Sequence, residues 1–322
     1  MSVHLLAFII FANMDTNFPQ HTKEAWLEKV KKELPEGKTL LDLLIDKPLY
    51  QHDGFAWPGP QNGVEGILPS QEWKITAHCY DNLSCHQALQ NGAEAIWLSP
   101  GQNDQASDLL AGVHLDYINT LLDLSALNDT ALADWQNWLN IQSGSAVVLP
   151  FSKANNPIDY AYLTVNETTT EALADLVDLI QSGWQGSSKG WLILHEIGSD
   201  FYGEIAWLRA LKSMFLDMNN KNKSDQKLFT IAQLKPSGLD PNQDLIRFTY
   251  QALSAVLGGI DFLAGPEWRG SDNNYARLAQ NLQHLMKQEG KLHLFTDALA
   301  GSYFIEDITL QLVKTTQLKL KG

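Results

Sequence analysis

The sequence predicts an α/β protein: a closed (β/α)8 barrel of the TIM type carried behind an N-terminal extension. Three observations predict it. From Glu72 onward, apolar β-like runs alternate with helical segments, and the runs number eight. Near the C-terminus a turn of small residues, 297–301, joins an apolar run to a helix, the kind of corner at which α/β folds carry ligands. The third is length, since 322 residues suit one barrel with an extension.

The strand candidates are 72–80, 94–100, 117–125, 145–151, 190–197, 227–235, 259–266 and 292–297. Helix candidates lie near 82–92, 103–112, 129–141, 168–182, 200–219, 241–257, 271–289 and 302–314. One continuous alternation favours a closed parallel barrel over an open doubly wound sheet, which is the runner-up. Nothing in the composition divides the barrel region 71–322. Ahead of it, 14–70 reads as an arm: an amphipathic helix capped by Thr22 and ended by Pro35 and Gly37, then a loop rich in Pro, Gly and aromatics. Residues 1–13 contain an apolar run, His4 to Ala12, that lacks a basic leader and is too short to span a bilayer. They are expected to be a non-structural extension, with Met14 as the natural start.

A composition of 44% hydrophobic and 19% charged residues is that of a soluble globular protein, and the net charge of -14 argues against nucleic acid as a partner. No membrane partner is expected. Cys79 and Cys85 are too few for a disulfide framework, which points to a reducing cytoplasm. With His78 and His86 they match no known metal-ligand spacing, so no metal site is expected there. Gly54, Gly59, Gly63 and Gly66 follow no strand and cannot form a dinucleotide fingerprint, and the Gly258–Gly259 pair ends a helix in the manner of a C-cap.

In a barrel of this kind the chemistry sits at the C-terminal ends of the strands, which makes Asp123, His195, Glu196, Gln233, Lys235, Glu267 and Asp297 the polar candidates. The adjacent His195 and Glu196 could serve acid-base work, but neighbours on one strand face opposite ways, so only one of them can look into the barrel. If the chain were a free-standing enzyme, His195, Lys235 and Asp297 would be its acid-base residues.

The C-terminal stretch also carries a longer pattern. Arg277, Asn281, Gln283 and Glu289, then Asp297, Gly301, Ser302, Glu306 and Thr309, with Tyr303 in or beside an aromatic slot, resemble the end of the barrel in the methylmalonyl-CoA mutase family. Ala298 stands where that family usually has Pro, and Ile308 where it has Leu. Leu208, Arg209 and Ala210 resemble the family's helix after the fifth strand, and the stretch 236–263 its approach to the seventh. Trp26, Pro48, Leu49 and Tyr50 resemble its N-terminal arm.

What the resemblance implies is qualified by its departures. The catalytic chains carry a Gly-Tyr-His-x-x-Glu-x-Gly-Ala string at the fifth strand; with Glu196 and Gly198 on its Glu and Gly, the tyrosine and histidine positions fall on Leu192 and Ile193. The family's cobalt-ligating Asp-x-His-x-x-Gly motif does not occur, so no cobalamin-binding domain is expected in this chain. Bulky residues at both parities, in Ile96–Leu98, Val147–Leu149 and Trp191–Leu194, imply a filled barrel axis where the catalytic barrels thread a pantetheine arm. The expectation is a non-catalytic small subunit with no catalytic, cofactor-binding or metal residues of its own. It would pair with a large subunit that holds adenosylcobalamin. The alternatives are the free-standing barrel enzyme and an acyl-CoA-binding module.

Overall fold

The computed structural model describes residues 72–141, 148–153, 160–166, 168–183, 189–237, 240–266, 274–294 and 297–321, together with Ala25, Glu28, Lys29, Lys31 and Lys32, which are helical. The chain divides into two units, Met1–Trp57 and Pro58–Gly322. The remainder of the arm, with Thr22, Trp26, Pro48, Leu49, Tyr50 and its glycines, lies outside the described residues, as does Glu267.

Eight strands form the second unit's centre: β1 (Lys74–Cys79), β2 (Ala95–Leu98), β3 (Asn119–Asp123), β4 (Val148–Lys153), β5 (Tyr160–Val165), β6 (Gly190–Glu196), β7 (Lys227–Gln233) and β8 (Phe262–Ala264). All neighbours are parallel and the ring closes, β8 pairing with β1 through Lys74↔Phe262, Ile75↔Leu263 and Thr76↔Ala264. Around it stand α1 (Asn82–Gln90), the single turn α2 (Ala106–Leu109), α3 (Asp129–Ile141), α4 (Thr170–Ser182), α5 (Phe201–Asn222), α6 (Pro241–Leu257), α7 (Asn274–Gln288) and α8 (Tyr303–Lys319). The architecture is TIM-barrel-like. Its helices begin where short polar side chains satisfy the first free amides: Asp81 caps α1, Thr169 caps α4, and Asp200 and Asp240 cap α5 and α6.

One expected strand resolves differently, and one strand was not expected. In the run 292–297 the described residues Leu292–Leu294 form a single 3-10 turn in place of a strand, entered through Lys291 at φ 53° and leaving Leu294 exposed. The reason is topological, because β8 already pairs on both sides and a ninth strand would find no free edge for its amides and carbonyls. The place is taken by β5, a strand that the sequence reading passed over. Only residues 154–159 separate β4 from β5, whereas parallel neighbours ordinarily need a dozen or more residues to cross over, so the regular alternation of strand and helix is interrupted here.

Side-chain alternation splits the strands into an inner and an outer set, and both are buried. Facing inward, Ala95, Trp97, Leu121, Tyr160, Leu192, Leu194, Ile231, Phe262 and Ala264 form one cluster, with Phe229 packed against it. The aromatic members interlock edge to face, Tyr160 on Phe229 at 5.5 Å between ring centroids. Facing outward, Trp191 and Ile193 of β6 join Leu173, Leu176 and Val177 of α4, Trp207, Leu208 and Leu211 of α5, and Phe248 of α6. On the other side of the ring, Cys79, Ile96, Leu98 and Leu122 meet Cys85 and Ala88 of α1 and Trp135 of α3. The ring is tight enough to dictate residue type at one point: a Cβ on Gly190, whose φ is 152°, would lie 2.0 Å from the Lys227 carbonyl oxygen.

Because the described inward side chains around Leu192 are buried against one another, losing one leaves a void the ring cannot close. Leu192→Ala is expected to cost about 2–5 kcal/mol in urea unfolding, while Leu285→Ala, at a position 58% exposed, stays within about 0.5 kcal/mol. A Leu192→Ala effect as small as that of Leu285→Ala would contradict a filled interior.

Candidate functional site

Polar side chains collect at the C-terminal mouth of the ring. His78 and Trp97 are register partners on β1 and β2 and share the inward face; their rings stack at 4.0 Å with 6° between planes. One imidazole nitrogen lies 3.4 Å from Gln233 Nε2 of β7, the other 3.4 Å from Ser99 Oγ. Beside Gln233, Glu196 accepts a charged hydrogen bond from Lys235, and this pair is part-exposed at the rim. Asp123, at the end of β3, accepts from the amide and the hydroxyl of Ser125 and so closes its own turn. Trp97 Nε1 is buried with no partner among the described residues.

The residues singled out for acid-base work do not converge. Of the pair on β6, Glu196 is the inward one and His195 the outward one. His195 is fully buried behind the ring, with Nε2 2.5 Å from Glu204 Oε2 and its ring stacked on Trp207 at 4.7 Å. The second oxygen of Glu204 accepts from the Gly198 amide at 2.7 Å, so this carboxylate ties the strand end to the loop that opens α5. Lys235 is at the mouth. Asp297 is elsewhere again, on the outside of the barrel, where Oδ2 meets Arg209 Nη1 at 2.6 Å while Arg209 Nη2 meets Glu306 Oε1 at 2.6 Å.

This arginine bridge explains much of the C-terminal motif. Arg209 of α5 and Glu306 of α8 are buried, Asp297 is half-buried with its side chain 8% exposed, and the two helices joined by Arg209 and Glu306 pack along one another. Burial pushes the Glu306 carboxyl up, and the Arg209 charge draws it part of the way back. Gln283 has a comparable task on α7, accepting from Trp73 Nε1 at 3.2 Å, while Lys287 stands over the Trp73 ring and pairs with Glu94 at 2.5 Å. By contrast Arg277, Asn281 and Glu289 are exposed.

His78, Cys79, Cys85 and His86 do not all come together, although the helix Asn82–Gln90 brings Cys85 back to Cys79. His78 faces inward; Cys79 and Cys85 lie together in the outer layer, and the hydrogen bond of the Cys79 thiol to Cys85, together with burial, holds that thiol well above its ordinary range. His86 bonds the Ala111 carbonyl. Among the described residues no group of three or more His, Cys, Asp or Glu could hold a metal.

Sequence reading missed the His78–Trp97 stack, Glu204 and the partners of Arg209. For the first, a signal existed: two aromatic side chains at equal parity near the ends of adjacent strands. The other two depend on which helix faces lie together, information that no local pattern holds.

Removing the arginine would leave two buried carboxylates without their counter-charge. Arg209→Met is expected to destabilise the protein at pH 7 by about 3–5 kcal/mol, and by less at pH 5. The sign follows from Glu306, whose folded pKa, already raised, would rise further; stability present below the unfolded pKa is then lost as pH climbs through the folded one. Urea unfolding at the two pH values measures it, and an equal loss at both would contradict the assignment.

Comparison with known proteins comes to the same part of the chain. Residues 192–321, from β6 to the end of α8, match the family described as methylmalonyl-CoA mutase. The chain is 35% identical over 129 residues to the methylmalonyl-CoA mutase of Escherichia coli (strain K12), covering 37% of this chain and 18% of that one. It is 30% identical over 129 residues to that of Rhizobium meliloti (strain 1021), with the same coverage. Against the methylmalonyl-CoA mutase small subunit of Porphyromonas gingivalis (strain ATCC BAA-308 / W83) it is 27% identical over 125 residues, 35% of this chain and 20% of that one. The chain thus spans at most a fifth of these relatives' length. Arg209, Gln283, Asp297 and Glu306 all fall inside the matched residues, while Trp26, Pro48, Leu49 and Tyr50 lie outside them. Over about a third of its length, at roughly 30% identity, this chain is related to the barrel region of methylmalonyl-CoA mutase.

Proposed function

We propose that this chain acts as a non-catalytic small subunit of a cobalamin-dependent methylmalonyl-CoA mutase, docking with a large subunit that interconverts succinyl-CoA and methylmalonyl-CoA. The packed interior of the ring carries this reading. A thioester whose pantetheine arm threads the barrel needs small inward side chains. Here Trp97, Leu121, Leu192, Leu194, Ile231 and Phe262 occupy that space, all at most 3% exposed except Leu194 at 6%. The position of the family's catalytic tyrosine holds Leu192, an inward apolar plug, and that of its histidine holds Ile193, which faces the helices.

The described mouth does not suit adenosylcobalamin either. His78 has both ring nitrogens engaged and one face against Trp97; His195 is buried on the far side of the strand. These placements support assigning the cofactor to the large subunit. Placement in the cytoplasm is part of the same reading, and no described helix is long and apolar enough to cross a membrane.

A free-standing acid-base enzyme fits less well, because His195, Lys235 and Asp297 lie on three different faces and each is already paired. Tested directly, the purified chain should turn over neither CoA ester and retain no cobalamin on gel filtration, while co-expression with a mutase large subunit should yield a complex in which the corrin absorbance follows the large chain. One-to-one cobalamin binding by the isolated chain, or failure to form any complex, would overturn the proposal.

A further inference from the structure

One sector of the barrel has a charge unlike the rest. From residue 75 to residue 152 there is no Lys or Arg, but there are eight acidic residues, Asp81, Glu94, Asp104, Asp108, Asp116, Asp123, Asp129 and Asp134. That stretch runs from β1 into β4 and supplies more than half of the net charge of -14. Glu94 is neutralised from outside by Lys287 of α7. The others accept hydrogen bonds from local amides and hydroxyls or face water. A low-dielectric wall lined by one sign of charge focuses its field and gathers counter-ions.

Within this sector, outside the strand ring, a cleft of about 70 Å³ opens between the β2–α2 connection and α3. Its walls combine two tryptophans with two carboxylates. Trp135 is buried, with Nε1 donating to the Asp104 carbonyl at 3.3 Å, and Trp138 stands edge-on to it at 6.0 Å, half-buried. Asp104 is held in place by the Gly101 amide, which donates to its carboxylate at 2.7 Å. Asp134, one residue before Trp135 and four before Trp138 on α3, is exposed. Gln102, Gln105 and Ser107 add polar groups to the lining, and among the described residues no basic side chain contributes to it.

We infer that this cleft binds the head of a small organic cation, an alkylammonium or quaternary ammonium group. Indole faces attract such groups best among aromatic rings, and a carboxylate at the rim supplies the full counter-charge. The volume sets the size: it exceeds the space of a single water, about 10–15 Å³ by the same measure, and falls well short of the roughly 300 Å³ at which pockets for whole drug-sized ligands begin. A methylated ammonium head fits; a nucleotide or CoA does not. The inference does not depend on the assignment of the chain as a mutase subunit.

The test is calorimetric titration of the intact chain with choline, set against 3,3-dimethylbutan-1-ol, the uncharged isostere with a carbon in place of nitrogen. Choline is expected to bind saturably at one site, about tenfold or more tighter than the alcohol, and more weakly as salt is added. Asp134→Asn, on an exposed position that leaves the fold unchanged, and Trp138→Leu should each weaken choline several-fold. A Lys-containing peptide in place of choline separates a protein side chain from a free amine as the natural source: binding of the peptide at equal or higher affinity identifies a protein, binding of choline alone a metabolite, and both uphold the ammonium site. Absence of saturable choline binding, equal binding of the alcohol, or full affinity in Asp134→Asn would overturn it.

Discussion

Much of this structure depends on one packing constraint: a central strand such as β6 must bury both its faces, one against the opposite side of the ring and one against the helices. Strand β6 makes the constraint visible, since Trp191, Ile193 and His195 go out to α4 and α5 while Leu192 and Leu194 go in. Alternation thereby decides what a residue can do before its chemistry is considered. An imidazole placed at His195 is sealed behind the ring and becomes a structural partner of Glu204, whereas one at His78 reaches the mouth. Filling the interior with rings and branched side chains gives a dense core, and the same density removes the axial passage that a threading substrate requires.

Polar groups in the outer layer are bound by a second rule, that a buried charge must be met. Arg209 does this for α5 and α8 at once through Asp297 and Glu306, and Lys287 does it for α7 and β2 through Glu94. These pairs lie where helix meets helix or helix meets strand end, so they fix register more than they add stability. This accounts for the character of the resemblance to methylmalonyl-CoA mutase: the described motif residues with identifiable buried roles serve the frame.

Much of the scaffold was legible in the sequence, because period-two apolar runs and capped amphipathic helices are local properties. Helices α3 and α6 fall on the expected residues, 129–141 and 241–257, where Asp129 and the Asp240–Pro241 step mark their starts. Misreadings arose where a global condition decides. Whether Leu292–Leu294 can be a strand depends on whether an edge is free, and ring closure by β8 leaves none. Tyr160–Val165 has the aromatic and β-branched content of a strand, yet the six residues before it hold no room for a crossover helix, which hid it from a reading built on alternation. The site was less legible still. Asp297 reads as a strand-end acid only if 292–297 is a strand; its place beside Arg209 follows instead from the packing of α5 on α8.

The central claim is that the interior of this barrel is closed to a CoA ester. It is tested most directly by titrating the isolated chain with succinyl-CoA in a calorimeter, with free CoA as the control. A filled interior predicts no saturable heat in either titration. One-to-one binding of succinyl-CoA that is lost when the inward position is enlarged by Leu194→Trp, in a variant that still unfolds cooperatively, would place the thioester inside the ring and contradict the account.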